Sequence, residues 1–417
     1  MKKLEKYSLG IGDRFGQQGN TQLKAIMEAE KKGILITPVW NKSNREHLFT
    51  GTKPEDVRRE AETAARNSGF ARDFFVDADH INLQTVERFI SCSDFFTIDV
   101  ASFIDKMAPE DRIGHFTGLC SKYFHGISIP GLRHKLSCSE KEVRCIAEKY
   151  LYACIQAGDI YRYIKRGRDD DDFVIEVSID EVSQSQSPLE IFLILGMLND
   201  ENIPVQTIAP KFCGRFNKGI DYSGNTGEFA LEFESDLLVV SHAAAEFGLP
   251  ENLKISVHSG SDKFSVYPVM NSLLAKHNKG IHLKTAGTTW LEEVIGLAES
   301  GNEALELVRT IYIKAFGMID ELCAPYSDLL SIRSGSLPTA DEVGRWNGRK
   351  FASSIRHEPG NRDYNPDMRQ LMHIAYKLAA QDMTHYLELV KSNMDTISRG
   401  VFDNLYNRHI QKIFPGA

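Results

Sequence analysis

The sequence predicts a (β/α)8 barrel carrying an additional C-terminal helical region. Three observations predict it. Eight strand-like apolar runs alternate with helical stretches over about 300 residues, the span of a barrel with insertions. The first run lacks the glycine-rich turn of a dinucleotide-binding sheet, because Gly10 and Gly12 precede Asp13 and Arg14 instead of opening a helix. Ionisable residues also collect at the ends of the later strands, where barrel enzymes place their chemistry. A doubly wound sheet is the alternative architecture.

Tyr7 to Phe15 reads as the first strand, and the helix from about Thr21 to Lys32 stops at Gly33. Ile34 to Asn41 is the second strand. Pro54 opens the next helix, at a position where its missing N–H costs no hydrogen bond. Asp73 to His80 forms the third strand, followed by a short helix, and Asp94 to Ala101 the fourth. An insertion at about 102–137 delays the next helix to Ser139. Phe173 to Asp180 is the fifth strand, with Val205 to Phe212, Lys254 to Ser259 and Gly280 to Thr285 following, each separated by a helical stretch. A last barrel helix begins near Trp290. The barrel thus occupies 1–301, and 302–417 is a helical extension packed on it, interrupted by a long loop from Ser334 to Asn365 that is rich in Gly, Ser, Pro and Arg.

Composition narrows the function. Of 417 residues, 42% are hydrophobic and 25% charged, as in an ordinary folded protein. The net charge of -8 and the absence of a long Lys/Arg cluster argue against nucleic acid as a partner. The most apolar run, Ile191 to Leu198, is far too short to span a bilayer, and Met1 to Gly10 lacks the apolar core of a secretory signal. Seven cysteines without a CxxC pair read as reduced thiols. A cytoplasmic enzyme without a membrane or nucleic-acid partner is expected.

Strand periodicity selects the chemistry. In the seventh strand Ile255 and Val257 alternate with Ser256 and His258; in the eighth Ile281 and Leu283 alternate with His282 and Lys284. If the apolar set faces the helices, both histidines point inward. The third strand places Phe75, Asp77 and Asp79 on one face, with His80 at the end where alternation can fail. Strand four adds Asp99, strand five Glu176, Ser178 and Asp180, and strand six Lys211. So many ionisable groups at one mouth call for ion pairing or a metal. His80, His258 and His282 form the expected ligand set for one divalent ion, Zn²⁺, Mn²⁺ or Ni²⁺. The loops Ser259 to Lys263, including Asp262, and Thr285 to Thr289, including Gly287, are small and polar and lead into helices, so they suit an anionic substrate group, with Lys263 or Lys284 adding charge. Asp13, in the GDRF run, is either a substrate contact or part of an ion-paired rim.

Five stretches carry a resemblance: GDRFG at Gly12 to Gly16, FVDADH at Phe75 to His80, SIDE at Ser178 to Glu181, KISVHSGSDKFSVYP at Lys254 to Pro268, and HLKTAGTTWLE at His282 to Glu292. They resemble the tagaturonate/fructuronate epimerase family of hexuronate catabolism. The resemblance implies a (β/α)8 enzyme with a divalent metal that interconverts D-fructuronate and D-tagaturonate at C4. It implies His80, His258 and His282 as metal ligands and Asp79 with Glu181 as the proton-transfer pair, Glu176 being the alternative carboxylate. The partner is a small sugar acid, acted on by a single chain or a homo-oligomer.

The C4 hydrogen of a 2-ketose is not adjacent to the carbonyl, so its removal gives a carbanion without enolate stabilisation. A retro-aldol route avoids this: Asp79 takes the C4 hydroxyl proton, C3–C4 breaks, the aldehyde rotates, and recombination inverts C4 while Glu181 returns the proton. Lys211 or Lys263 would hold the substrate carboxylate. The rival readings are a metal-dependent aldolase using the same ligands, a Schiff-base aldolase through Lys211 or Lys284, and a non-catalytic sugar-acid binding protein.

Overall fold

The computed structural model describes residues 4–259, 262–284 and 287–416. Eight parallel strands close in sequence order into a barrel: β1 Tyr7–Ile11, β2 Ile36–Ser43, β3 Phe75–Ile81, β4 Phe95–Asp99, β5 Val174–Ser178, β6 Val205–Ala209, β7 Lys254–His258 and β8 Ile281–Lys284. β8 returns to β1 with Tyr7 opposite Ile281 and Ser8 opposite His282. All eight expected strands are present, and the expected fold class is the observed one. The strands end earlier than the apolar runs suggest. β1 stops at Ile11, and β6 stops at Ala209, two residues before Lys211.

The outer ring consists of α1 Gly19–Lys31, α2 Asn44–Thr50, α3 Pro54–Ser68, α4 Glu110–Leu119, α5 Glu140–Gly167, α6 Pro188–Asp200, α7 Thr226–Phe247, α8 Tyr267–His277 and α9 Gly287–Ser300. Local chemistry sets their starts. Ser139 with Glu142, and Ser187 with Glu190, form reciprocal capping boxes, and Asn225 accepts the first free N–H groups of α7. No full helix follows β3, only a 3-10 turn, Val86–Arg88, where a short helix was expected. The insertion after β4 builds α4 and an isolated bridge between Ile127 and Leu136, with Ile113, Phe116, Cys120 and Tyr123 joining the barrel's core. Gly280 marks the entry to β8: a Cβ there would lie 2.1 Å from the Lys6 carbonyl oxygen. All seven cysteines are free. No helix among the described residues is long and apolar enough to cross a membrane.

A second core grows out of α9. Trp290, Leu291, Val294, Ile295, Leu297 and Ala298 are fully or almost fully buried against α10 (Asn302–Gly317) and the later helices, and Trp290 Nε1 donates to the Met372 carbonyl at 2.7 Å. The stretch expected as a loop from Ser334 to Asn365 contains two helices, Ala340–Gly344 and Gly348–Ile355, the first begun by a Thr339–Glu342 capping box. Gly344 ends the first of these helices and Gly348 begins the second, and composition alone does not show this.

This inter-helix core contains a carboxyl, Glu292, whose partner is Asn404 Nδ2 at 3.2 Å. Burial pushes Glu292 up to about 7, against the opposing pull of Arg369 and Arg356. Folding therefore retains a proton that the unfolded chain releases near pH 4.5, and stability contributed by the neutral group is lost as pH rises from there through 7. Between those pH values Glu292→Gln is expected to lose less stability than the parent, by on the order of 3 kcal/mol. Urea unfolding of both proteins across that range checks it; parallel pH curves would refute it.

Candidate active site

Three strand ends meet at the C-terminal mouth. On β3 the pairing with β4 shifts register between Ala78 and Ile81, and His80 takes φ 55°. A left-handed conformation is costly for a residue with a Cβ, so this irregularity is a feature that the surroundings enforce. It turns the His80 ring onto His258, the last residue of β7, with centroids 5.1 Å apart. Asp180, two residues beyond β5, is held by a 2.5 Å hydrogen bond from Ser178 Oγ and approaches His258 Nδ1 at 3.3 Å. One ligand atom each from His80, Asp180 and His258 lies within 4.8 Å of the other two.

The neighbouring carboxylates fix the imidazoles. His258 Nε2 lies 2.8 Å from Glu176 Oε1, and His80 Nδ1 lies 2.9 Å from Asp79 Oδ1. A carboxylate only accepts, so both of these ring nitrogens carry protons, and His258 Nδ1 faces a second carboxylate, Asp180; burial would lower both imidazoles, yet Asp79 holds His80 up at about 10 and Asp180 with Glu176 holds His258 up at about 9. An ion that displaced one proton from each ring would meet two imidazole nitrogens and a carboxylate, a donor set that suits a divalent transition metal, and carboxylates behind the imidazoles are the usual orienting partners of such ligands.

Beneath this set Lys284 is the central cation. Its Nζ contacts Asp77 Oδ2 at 2.9 Å, Asp79 Oδ1 at 2.8 Å, Glu176 Oε1 at 2.9 Å and Thr97 Oγ1 at 2.5 Å. Burial alone would lower its pKa, but the three carboxylates hold it well above the ordinary lysine value. Reciprocally, burial would raise Asp79 and Glu176, yet Lys284 and the adjacent histidines hold both well below the carboxylate range. Asp77 is different: burial outweighs Lys284 and lifts it to about 6. Three carboxylates, Asp77, Asp79 and Glu176, thus surround one lysine, while Asp180 faces His258 beside them.

Above them opens a cavity of about 700 Å³, lined among others by Asp79, His80, Asp180, Glu181, Lys211, His258 and Lys284. A second hollow of about 310 Å³ adjoins it and shares Arg14, Glu46, Asp79, His80, Glu181 and Lys218. The C-terminal region forms part of the wall: Leu329 and Leu330 line the first, and Tyr326, His373 and Tyr376 the second. Arg14 pairs with Glu46 and lies 4.8 Å over the Tyr376 ring.

A family model described as UxaE, tagaturonate epimerase, matches residues 1–414. The chain belongs to the tagaturonate epimerase family. The tagaturonate/fructuronate epimerase of Thermotoga maritima is 29% identical over 402 residues, covering 92% of this chain and 76% of that protein. Among solved structures, the fructuronate-tagaturonate epimerase UxaE of Cohnella laeviribosi with two glycerols superposes with a TM-score of 0.80 at 23% identity, over 99% of this chain and 82% of that one. Its native form gives 0.75 at 23% identity, over 98% and 82%. At that identity the superposition speaks to the fold.

Within this tagaturonate epimerase family member, the structure brings together His80, His258, Asp79, Glu181, Lys211 and Lys284 around one cavity. It places other expected site residues elsewhere. His282 lies inside the barrel at 0% exposure, with Nδ1 2.9 Å from Ser8 Oγ and its ring 5.2 Å from that of Phe95; Asp180, not His282, stands beside the other two histidines. Asp13 accepts the N–H groups of Phe15, Gln17 and Gln18, shaping the turn into α1. Ser259 Oγ donates to the Lys284 carbonyl. Asp262 is wholly buried against Arg369 Nη2 at 2.9 Å and His357 Nδ1 at 3.2 Å, and Lys263 spends its ammonium on backbone carbonyls. Neither lines the cavity, because the C-terminal helices cover that loop. Thr285 lies outside the described residues, and Gly287 is the first residue of α9.

Sequence reasoning missed Glu46, Lys218, Tyr326, His373 and Tyr376 on the walls. These sit in irregular connections and distant helices, where no strand period marks them. Arg14 had a signal, the GDRF run, but only its neighbour Asp13 was singled out.

Proposed function

We propose that this protein interconverts D-tagaturonate and D-fructuronate at C4 and holds one divalent ion, Zn²⁺, Mn²⁺ or Ni²⁺, on His80, Asp180 and His258. The observation that carries the reading is the convergence of those three ligand atoms, within 4.8 Å of one another, on a cavity that also exposes Asp79, Glu181 and Lys284. When bound there, the ion supplies Lewis acidity, making a substrate hydroxyl easier to deprotonate and drawing charge from the oxygens of the cleaved fragment.

The chain's own groups divide the remaining work. Asp79, kept ionised by Lys284 and His80, accepts the C4 hydroxyl proton as C3–C4 breaks into an enediolate and an aldehyde. So strongly ionised a carboxylate is a weak base, and it suits a hydroxyl that has already been acidified. The aldehyde turns about its C4–C5 bond and recombines through its other face. Glu181, on the exposed rim of the same cavity, gives a proton to the new C4 oxygen and regains one from solvent, while Asp79 releases to solvent the proton it took. The cavity of roughly 700 Å³ has room for both fragments side by side, and their recombination before release is what separates an epimerase from an aldolase.

Carbon-13 NMR of D-tagaturonate tests the activity: metal-stripped protein is expected to be inert, and adding back Mn²⁺, Zn²⁺ or Ni²⁺ to yield D-fructuronate. In D₂O the product is expected to keep protium on C4, since no C4–H bond breaks. No conversion with any ion would overturn the activity, and deuterium on C4 would replace the retro-aldol route by direct deprotonation.

A further inference from the structure

The connection between β6 and α7 is fastened along consecutive residues by groups that the proposed chemistry does not use. Lys263, at 0% exposure, donates from Nζ to the carbonyls of Asn217 at 3.1 Å and Ile220 at 2.8 Å. Arg369, equally buried, donates from Nε to the Gly219 carbonyl, while its Nη2 is neutralised by Asp262. The Lys218 N–H donates to the Leu329 carbonyl at 2.9 Å, and Asn217 Nδ2 reaches Ser331 Oγ at 3.0 Å. Gly219 has φ +80°, and a Cβ there would lie 3.3 Å from Gln370 Cα and His373 Cβ, so the loop lies directly against the helix Pro366–Ile374. Fixing a loop this firmly removes conformational entropy and preorganises whatever the loop presents.

The loop presents Lys218. Its ammonium lies 5.4 Å from the centre of the Tyr326 ring and faces both hollows, beside Arg14. Among the described residues no carboxylate or other acceptor bonds to Lys218 Nζ. Arg14 is paired with Glu46 on one side, but its Nε is buried without a partner among the described residues. Burial, then Arg14, lowers the pKa of Lys218 and outweighs the opposing pull of Glu46 and Glu181, neither of which bonds to it. Holding a cation there without an acceptor is unfavourable, and an anionic group of the ligand relieves it. Of the other two lysines on the larger hollow, Lys284 is already enclosed by three carboxylates, and Lys211, whose N–H donates to Gln186 Oε1 at 2.9 Å, does not line the smaller hollow.

Resting on the sugar-acid reading above, we propose that Lys218, with Arg14 beside it, is the specificity-determining contact for the substrate's carboxylate, and that Lys263 and Arg369 are positioning residues that aim it. This assigns the carboxylate end of the hexuronate to the wall shared with the C-terminal helices and leaves C3 and C4 for the histidine side of the cavity. It also gives Asp262 and Lys263 a purpose at one remove from the ligand.

The test compares Lys218→Gln with the parent on D-tagaturonate and on the neutral ketose that bears a hydroxymethyl group in place of the carboxylate. Lys218→Gln is expected to raise KM for the acid about 10- to 100-fold, change kcat less than threefold, and leave kcat/KM for the neutral ketose unchanged. Lys218→Arg is expected to restore much of the acid KM. Lys263→Met should raise the same KM with the same selectivity, whereas a merely structural role would depress both substrates together. Calorimetric binding of D-tagaturonate gives a readout that needs no turnover, with the same loss of affinity expected for Lys218→Gln. If the parent binds the acid without converting it, the epimerase reading fails while the Lys218 assignment is still decided by binding. An unchanged affinity in Lys218→Gln, a loss found instead in Lys211→Gln, or no binding by the parent overturns the assignment.

Discussion

If His80, Asp180 and His258 hold a divalent ion as proposed, replacing His258 by alanine is expected to abolish its binding and lower kcat/KM on the order of 10³-fold, while the chain still folds and melts cooperatively. The side chain sits at the cavity floor with 9% exposure, so its loss enlarges an existing hollow instead of opening a sealed void. Glu176, which orients the ring, keeps its contacts to Lys284, Thr97 and Thr207. The damage is therefore to the ligand set. His282→Ala should do the reverse. That ring is fully buried between Ser8 and Phe95, and its deletion is expected to cost about 2–4 kcal/mol of stability while bound metal survives. Metal content after exhaustive dialysis, beside a urea melt, separates the two. Retained metal in His258→Ala together with lost metal in a normally stable His282→Ala would move the ion deeper into the barrel and overturn the set His80, Asp180 and His258.

This pair of histidines shows how far a period of two carries. Alternation within β7 and β8 is enough to turn His258, His282 and Lys284 inward, and within β3 and β5 it collects Asp77, Asp79 and Glu176. What alternation does not give is depth. His258 is the last residue of its strand and Lys284 the last of the next, whereas His282 is opposite Ser8 two residues lower. Periodicity also ends where the strand does. Asp180 and Glu181 follow β5 in irregular backbone, and only the Ser178 hydrogen bond shows which of the two turns toward His258. His80 is a third case, since its reach depends on a left-handed residue at a register shift that no residue pattern announces. The polar loop after β7 has the composition of an anion site because nothing near it in the sequence marks the side chains that cover Asp262 and Lys263. Asp262 meets Arg369, 107 residues later in the chain, and a contact that distant lies outside any local pattern.

The second large effect belongs to Lys284. Lys284→Met leaves Asp77, Asp79 and Glu176 buried around an apolar side chain, and breaking such an arrangement costs about 3–5 kcal/mol near neutral pH. The cost depends on pH in a definite direction. In the parent, Asp79 and Glu176 are held well below the usual range, so their contribution is present above the unfolded carboxylate pKa of about 4 and is lost as pH falls through their folded values. Without the ammonium, burial at Asp77 is opposed only by the neutral donors Asn41 and Thr97, it is less opposed at the other two, and the folded pKa values rise above the unfolded ones. Those carboxyls then bind protons in the native state that the unfolded chain has released, and the variant's stability falls as pH climbs above about 4. The gap between parent and variant should therefore widen from pH 5 to pH 8. Urea unfolding of both metal-free proteins at the two pH values measures it directly, and a gap of equal size at both would mean that Lys284 acts by packing and not by charge. Turnover should also be lost, because a protonated Asp79 is too weak a base to take the C4 hydroxyl proton in the role proposed for it. Lys284→Arg is not expected to rescue either property, since a planar guanidinium does not reproduce the compact ammonium that three carboxylates and Thr97 enclose.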